Sequence, residues 1–169
     1  MDIAAEFIAC SRHYLASEYP TKIERCLATL PADALWRRAD AESNCIGNLL
    51  LHLEGNIRQW IVSSVGGAPD HRQRASEFAA TEGPDAATLF AALRVTLDEA
   101  DAVIAALSAD DLASRRTIQG RDVTVFDAVY HVVEHFSLHT GQIILLTKQF
   151  APGAIQFYKD AGGLAIPRY

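Results

Sequence analysis

Apolar residues recur at intervals of three and four along four long stretches of this chain, and turn signals separate the stretches. The first covers about Ile3 to Thr29, with Phe7, Leu15, Ile23, Leu27 and Leu30 among its apolar positions. Pro20 should kink or divide it, because proline lacks the N–H that a helix interior needs. Leu30-Pro31-Ala32-Asp33 ends it. The second stretch starts near Ser43-Asn44, either of which can serve as the N-cap, and runs to about Val65 before Gly66-Gly67. The third follows Gly83-Pro84-Asp85, with Asp85 as a candidate cap, and runs to about Leu107. The fourth opens on Thr124-Val125-Phe126-Asp127, a relative of the capping box, and continues to about Phe150. Between the last two, Arg115 to Val123 reads as irregular with a short β-excursion. A brief helical tail is expected around Ile155 to Asp160. These elements predict an all-α fold: a four-helix bundle of the up-down-down-up type with a short C-terminal extension, in one domain over residues 1–169.

Composition narrows the function classes. The chain has 169 residues, half of them hydrophobic, and a formal net charge of −6. That length can bury a core without staples. No basic run or Lys/Arg-rich helix face is present, which argues against nucleic acid as a partner. No apolar run reaches the roughly 20 residues that span a bilayer, and the opening MDIAAEFIAC lacks a positively charged leader region. Cys10, Cys26 and Cys45 are odd in number and show no CxxC spacing, so all three are expected as small buried side chains in a cytoplasmic protein.

The candidate chemistry lies in histidines. His131, His135 and His139 stand four residues apart on the fourth segment, so they share one stripe. Val132, Phe136, Ile143 and Leu146 flank that stripe and turn it towards the interior. His131 and His139 are roughly 12 Å apart along the axis, while a metal–imidazole bond is about 2 Å. One ion can take an adjacent pair only, so a further ligand must come from another helix. Asn48, His52, Asn56 and Gln59 form a polar stripe on the second segment, and His52 is the histidine that it supplies. Neutral imidazoles from two facing helices fit a divalent ion, with the uncharged amides placed to orient water or substrate. The competing reading is a polar stripe that merely finds hydrogen-bond partners in the core. His13 and His71 read as a near-surface and a loop residue. Glu54 reads as a surface or interhelical charge, and Glu134 lies off the histidine stripe, from where it could still anchor a ligand from behind.

His131-x3-His135-x3-His139-Thr-Gly-Gln142 resembles the fourth-helix signature of the DinB-like superfamily of four-helix metalloproteins. Asn48-Leu-Leu-Leu-His52-Leu-Glu-Gly-Asn56 resembles its second-helix partner, and Asp70-His-Arg72-Gln-Arg74-Ala-Ser-Glu77-Phe78 resembles a subgroup of uncharacterised DinB-like domains. The resemblance covers essentially the whole chain. It implies His52, His135 and His139 as metal ligands, with His131, Asn48, Asn56 and Gln142 as pocket or supporting residues. Thr140 stands where many relatives carry a basic residue.

The resemblance further implies a homodimer, and thiol-dependent transfer of a small molecule through a metal-bound thiolate, with a low-molecular-weight thiol as co-substrate. Metal-assisted hydrolysis is the neighbouring chemistry. A non-catalytic module, in which the metal is structural or the bundle serves as a dimer surface, is the alternative class. Zinc or nickel is the expected ion, and iron or copper also suits imidazoles. Arg72 and Arg74, between the second and third segments, are expected either in a solvated loop or in contact with an anionic substrate or a second subunit.

Overall fold

The computed structural model describes residues 2–168. Asp2 caps α1 (Ile3–His13), its carboxylate accepting from the N–H groups of Ala4 and Ala5. A π-helical turn, Tyr14–Glu18, joins α1 to α2 (Tyr19–Thr29). The discontinuity expected at Pro20 therefore falls just ahead of it, as a widened turn in which the Tyr19 N–H reaches Tyr14 O. Proline cannot donate to the carbonyl four residues back. That carbonyl, on Ala16, accepts from Arg94 Nη1 at 2.9 Å instead.

Cys45, rather than Ser43 or Asn44, caps α3 (Ile46–Ile57). Its thiol lies 3.5 Å from the Asn48 N–H, while the Asn48 side chain accepts from the Cys45 N–H at 3.1 Å. A thiol is a weak acceptor, so sequence preference points to the stronger oxygen caps beside it. A second π-helical turn, Arg58–Ser63, extends α3. The connection to the next long helix contains α4 (Arg74–Ala79), a short helix without a strong periodic signal. Asp85 caps α5 (Ala86–Ala105) as expected, accepting from Thr88 N–H at 2.8 Å. A short helix α6 (Ala109–Ala113) leads into an antiparallel hairpin, β1 (Arg115–Ile118) with β2 (Arg121–Thr124). Thr124 then opens α7 (Val125–Phe150) with the expected capping box to Asp127.

The expected helical tail is instead the start of a second hairpin, β3 (Tyr158–Ala161) with β4 (Leu164–Pro167). Gly162 and Gly163 both have positive φ, 66° and 87°, the backbone that a two-residue hairpin turn requires.

The chain is mostly helical, and α3 lies at its centre, packed against α5 and α7, with α2 against α7. Leu49, Leu53, Ile57 and Ile61 meet Leu93, Leu97 and Ile104 of α5 and Val129, Val132, Phe136 and Ile143 of α7 in one apolar cluster. Each such side chain stabilises the fold by about 1.5–3 kcal/mol on burial. Cys26 and Cys45 belong to the interior, but Cys10 is exposed, which corrects the expectation for it. It lies on the outward side of α1, where the neighbouring apolar residues Ala4, Phe7 and Ile8 take the packing. No helix among the described residues is long and apolar enough to cross a membrane.

Arg94→Met removes the donor that serves the Ala16 carbonyl and should cost about 1 kcal/mol. Pro20→Ala supplies a backbone N–H at that point, so the same Arg94→Met change should cost less in a Pro20→Ala background. Urea unfolding of the four proteins measures the coupling.

Candidate metal centre

His52 projects from the buried face of α3 towards α7. Its Nδ1 lies 2.8 Å from Glu77 Oε2, and its Nε2 lies 2.9 Å from His135 Nε2. His139, one turn along α7, places its Nδ1 2.7 Å from Gln142 Oε1. One ligand atom each from His52, His135 and His139 lies within 4.8 Å of the others.

The outer partners fix which nitrogen is free. The Glu77 carboxylate only accepts, so His52 donates from Nδ1 and presents the Nε2 lone pair inwards. The Gln142 carbonyl oxygen does the same for His139, whose Nε2 is buried with no partner. The 2.9 Å contact between His52 and His135 then holds a proton on His135 Nε2, donated to His52. A cation held between these nitrogens would need the lone pair of His135 Nε2, and so the His135 proton on Nδ1 instead. An orphaned buried nitrogen beside two more, all of them imidazole, fits a divalent metal.

Glu77 is supplied by α4 and carries its own support. Arg72 donates to it twice, from Nε to Oε1 at 2.7 Å and from Nη2 to Oε2 at 2.9 Å. The side chains of Arg72 and Glu77 are 3% and 9% exposed. Two residues clamp the C-terminal carbonyls of α4, which have no helical donors. Asn48 Nδ2 donates to the carbonyls of Glu77 and Ala80, and Arg38 Nη2 donates to those of Phe78 and Ala80. Phe78 in turn packs on the His52 ring, 4.5 Å between centroids. Gly55 permits the approach of α4: a Cβ there would collide with the Glu77 carboxylate and come within 3.0 Å of Arg72 Nε.

The protein-family model described as "Protein of unknown function (DUF1572)" matches residues 2–162. The chain belongs to the DUF1572 family. This is a DinB-like family. A conserved protein from Enterococcus faecalis has a similar crystal structure, with a TM-score of 0.68 at 13% identity, covering 84% of this chain and 95% of that one. A DinB-like protein from Bacillus cereus ATCC 10987 gives a TM-score of 0.58 at 19% identity, covering 80% and 89%. At those identities the likeness concerns the fold. No curated protein matches the chain.

In this DUF1572 chain the fold places the residues singled out by sequence in different surroundings. His52, His135 and His139 come together, with Gln142 on the outer nitrogen of His139. Asn48 is buried and acts at a distance, through the main chain of Glu77. His131 stacks on His135, 5.2 Å between centroids, and its Nε2 lies 3.5 Å from Asn56 Nδ2. Arg72 is neither in a solvated loop nor facing outwards, whereas Arg74 is exposed, over the Phe78 ring. Thr140 is buried with its hydroxyl unpartnered, so a basic side chain at this position would be buried too. Glu54 is the interhelical charge expected of it, accepting from Arg58 and from Thr96 of α5. His13 and His71 are exposed. Glu77 lies within the Asp70–Phe78 motif, and sequence reasoning missed its part in the site. The one signal for it was Gly55, a glycine inside an apolar helix, which marks a close approach.

Burial pushes His135 down to about 3, helped by the charges that would form on His139, His52 and His131 and by Arg72. Burial also lowers His139 and His131. Burial raises the Glu77 carboxyl, but the hydrogen bonds and charges of Arg72 and His52 outweigh it and hold Glu77 below the ordinary carboxylate value. His135 and His139 are thus neutral, as imidazoles that bind a metal must be.

The sign of the pH dependence follows. In the unfolded chain His135 takes a proton near pH 6.5, while in the folded chain it resists until about pH 3. Its contribution is complete above the unfolded value and is lost as pH falls through that window. Urea midpoints of the metal-free protein should therefore decline from about pH 6.5 downwards, and His135→Asn should flatten the decline.

Proposed function

We propose that this protein is a divalent-metal-dependent enzyme acting on a small molecule, with His52, His135 and His139 as the metal ligands. The observation that carries the reading is the convergence of three imidazole nitrogens on one point, two of them held in the metal-binding tautomer by Glu77 and Gln142. Among the described residues no fourth His, Cys, Asp or Glu joins that group. Structural zinc sites are usually closed by four protein ligands, whereas catalytic sites keep a position open. When bound, the ion supplies Lewis acidity that lowers the pKa of a water or thiol and polarises a carbonyl. Burial holds His135 and His139 neutral, so neither offsets the ion's charge, which is left for the substrate. Glu77 holds a fixed proton on His52, and buried Arg72 keeps Glu77 ionised.

Thiol-dependent transfer is the chemistry we favour, with hydrolysis as its neighbour, and zinc or nickel as the ion. The DinB-like fold, α3 beside α5 and α7 with α2 against α7, supports reading the long helices as an up-down-down-up four-helix bundle. Free cysteines support a cytoplasmic setting. A dimer has its own supporting observation: Phe126, Tyr130, Leu138 and Leu145 leave apolar side chains exposed along α7. If the metal were purely structural, that surface would be the working part.

Metal content by mass spectrometry on tag-free protein should be near one ion per chain. It should fall to background in His52→Ala, His135→Ala and His139→Ala and persist in His131→Ala. A wild type that stays folded yet takes up neither zinc nor nickel would refute the assignment. Glu77→Ala should keep the ligands but weaken metal binding by about 10–100-fold, as read in a competition titration with a chromophoric chelator.

A further inference from the structure

Beyond the histidine group, the polar stripe of α3 continues for another turn. Asn56 and Trp60 are each only 4% exposed. Asn56 Oδ1 is a buried acceptor without a partner, and Trp60 Nε1 is a buried donor without one. Both residues flank His131. Its ring centroid lies 4.1 Å from that of Trp60, and its Nε2 lies 3.5 Å from Asn56 Nδ2. His131 in turn stacks on His135, so the cluster stands directly beside the metal ligands. On the far side, Gln119 at the tip of the β1–β2 hairpin donates to Gln59 Oε1 at 2.8 Å. Gln119 holds a φ of 52°, and Gln59 Oε1 also accepts from Arg72.

A buried donor and a buried acceptor left without partners are costly, and a site built for them gains by receiving a complementary group. The chemistry of that group follows from what is free. One N–H needs an acceptor and one C=O needs a donor. The nearby guanidinium of Arg72 is already committed to Glu77 and Gln59. Neither free atom carries a charge, so the group that completes them is itself neutral, with one acceptor and one donor. We propose that Asn56, Trp60 and His131 form the recognition subsite for a neutral amide of the small molecule on which the metal centre acts. The amide carbonyl accepts from Trp60 Nε1, and the amide N–H donates to Asn56 Oδ1. The proposal names the substrate class for the centre described above and rests on that reading, but its test does not need the metal.

The probe is N-methylacetamide, titrated into the full chain after treatment with EDTA and again with one equivalent of zinc. The readout is the Trp60 indole N–H in ¹H–¹⁵N spectra, assigned by its loss in Trp60→Phe. Expected is a saturable shift that weakens at least five-fold in Asn56→Leu, and at least five-fold when acetate, methylammonium or ethanol replaces the amide. If Asn56→Leu fails to fold, the comparison of probes on the wild type decides. A shift that stays linear with concentration, an equal response to all four probes, or unchanged affinity in folded Asn56→Leu would overturn the subsite. Failure in this titration leaves the metal assignment standing, and loss of the metal assignment shows separately in the metal content of the histidine variants.

Discussion

The hydrogen bond from His52 Nδ1 to Glu77 is the interaction on which the centre depends. Without it His52 could turn either nitrogen inwards, and its contact with His135 would be an ordinary histidine pair in a core. With it, the proton on His52 is fixed on the outer nitrogen. The inner lone pair then faces the same point as the nitrogens of α7. A carboxylate in so dry a place would otherwise tend to protonate. Arg72, equally buried, keeps it ionised with two hydrogen bonds.

That arrangement explains several features remote from the ligands. Asn48 and Arg38 spend their donors on the end of a helix of only six residues, because that helix carries Glu77. Gly55 leaves out a side chain so that the carboxylate can reach past α3. Phe78 covers the flank of His52. The segment joining the second and third long helices is therefore a working part of the centre and no mere connection. Removing one partner of such a buried pair strands a charge, so these residues should tolerate substitution poorly.

Much of this was legible in the sequence, and the gaps have physical reasons. The long helices were visible because their faces bury apolar stripes, and Asp85 and Thr124 because oxygen caps are strong signals. The Cys45 cap was not, since sulfur is a weak acceptor and better candidates stood next to it. The β3–β4 hairpin replaces the helical tail expected over Ile155 to Asp160, because the positive φ of Gly162 and Gly163, just beyond that stretch, turns the chain back on itself. Histidine spacing exposed the α7 stripe and limited an ion to an adjacent pair, the family resemblance singled out His135 and His139, and the amide-rich stripe exposed His52. Glu77 stayed hidden because no periodicity links it to His52, 25 residues earlier. Only the fold brings them together. Arg72, for the same reason, looked like a loop cation until its partner was in view.

X-ray absorption on protein loaded with one equivalent of zinc tests the central claim most directly. The account predicts three imidazole nitrogens at about 2.0–2.1 Å and one further light ligand that exchanges when an external thiol is added. A zinc shell closed by four protein ligands, or a mixture of weak sites with fewer than three imidazoles, would contradict it.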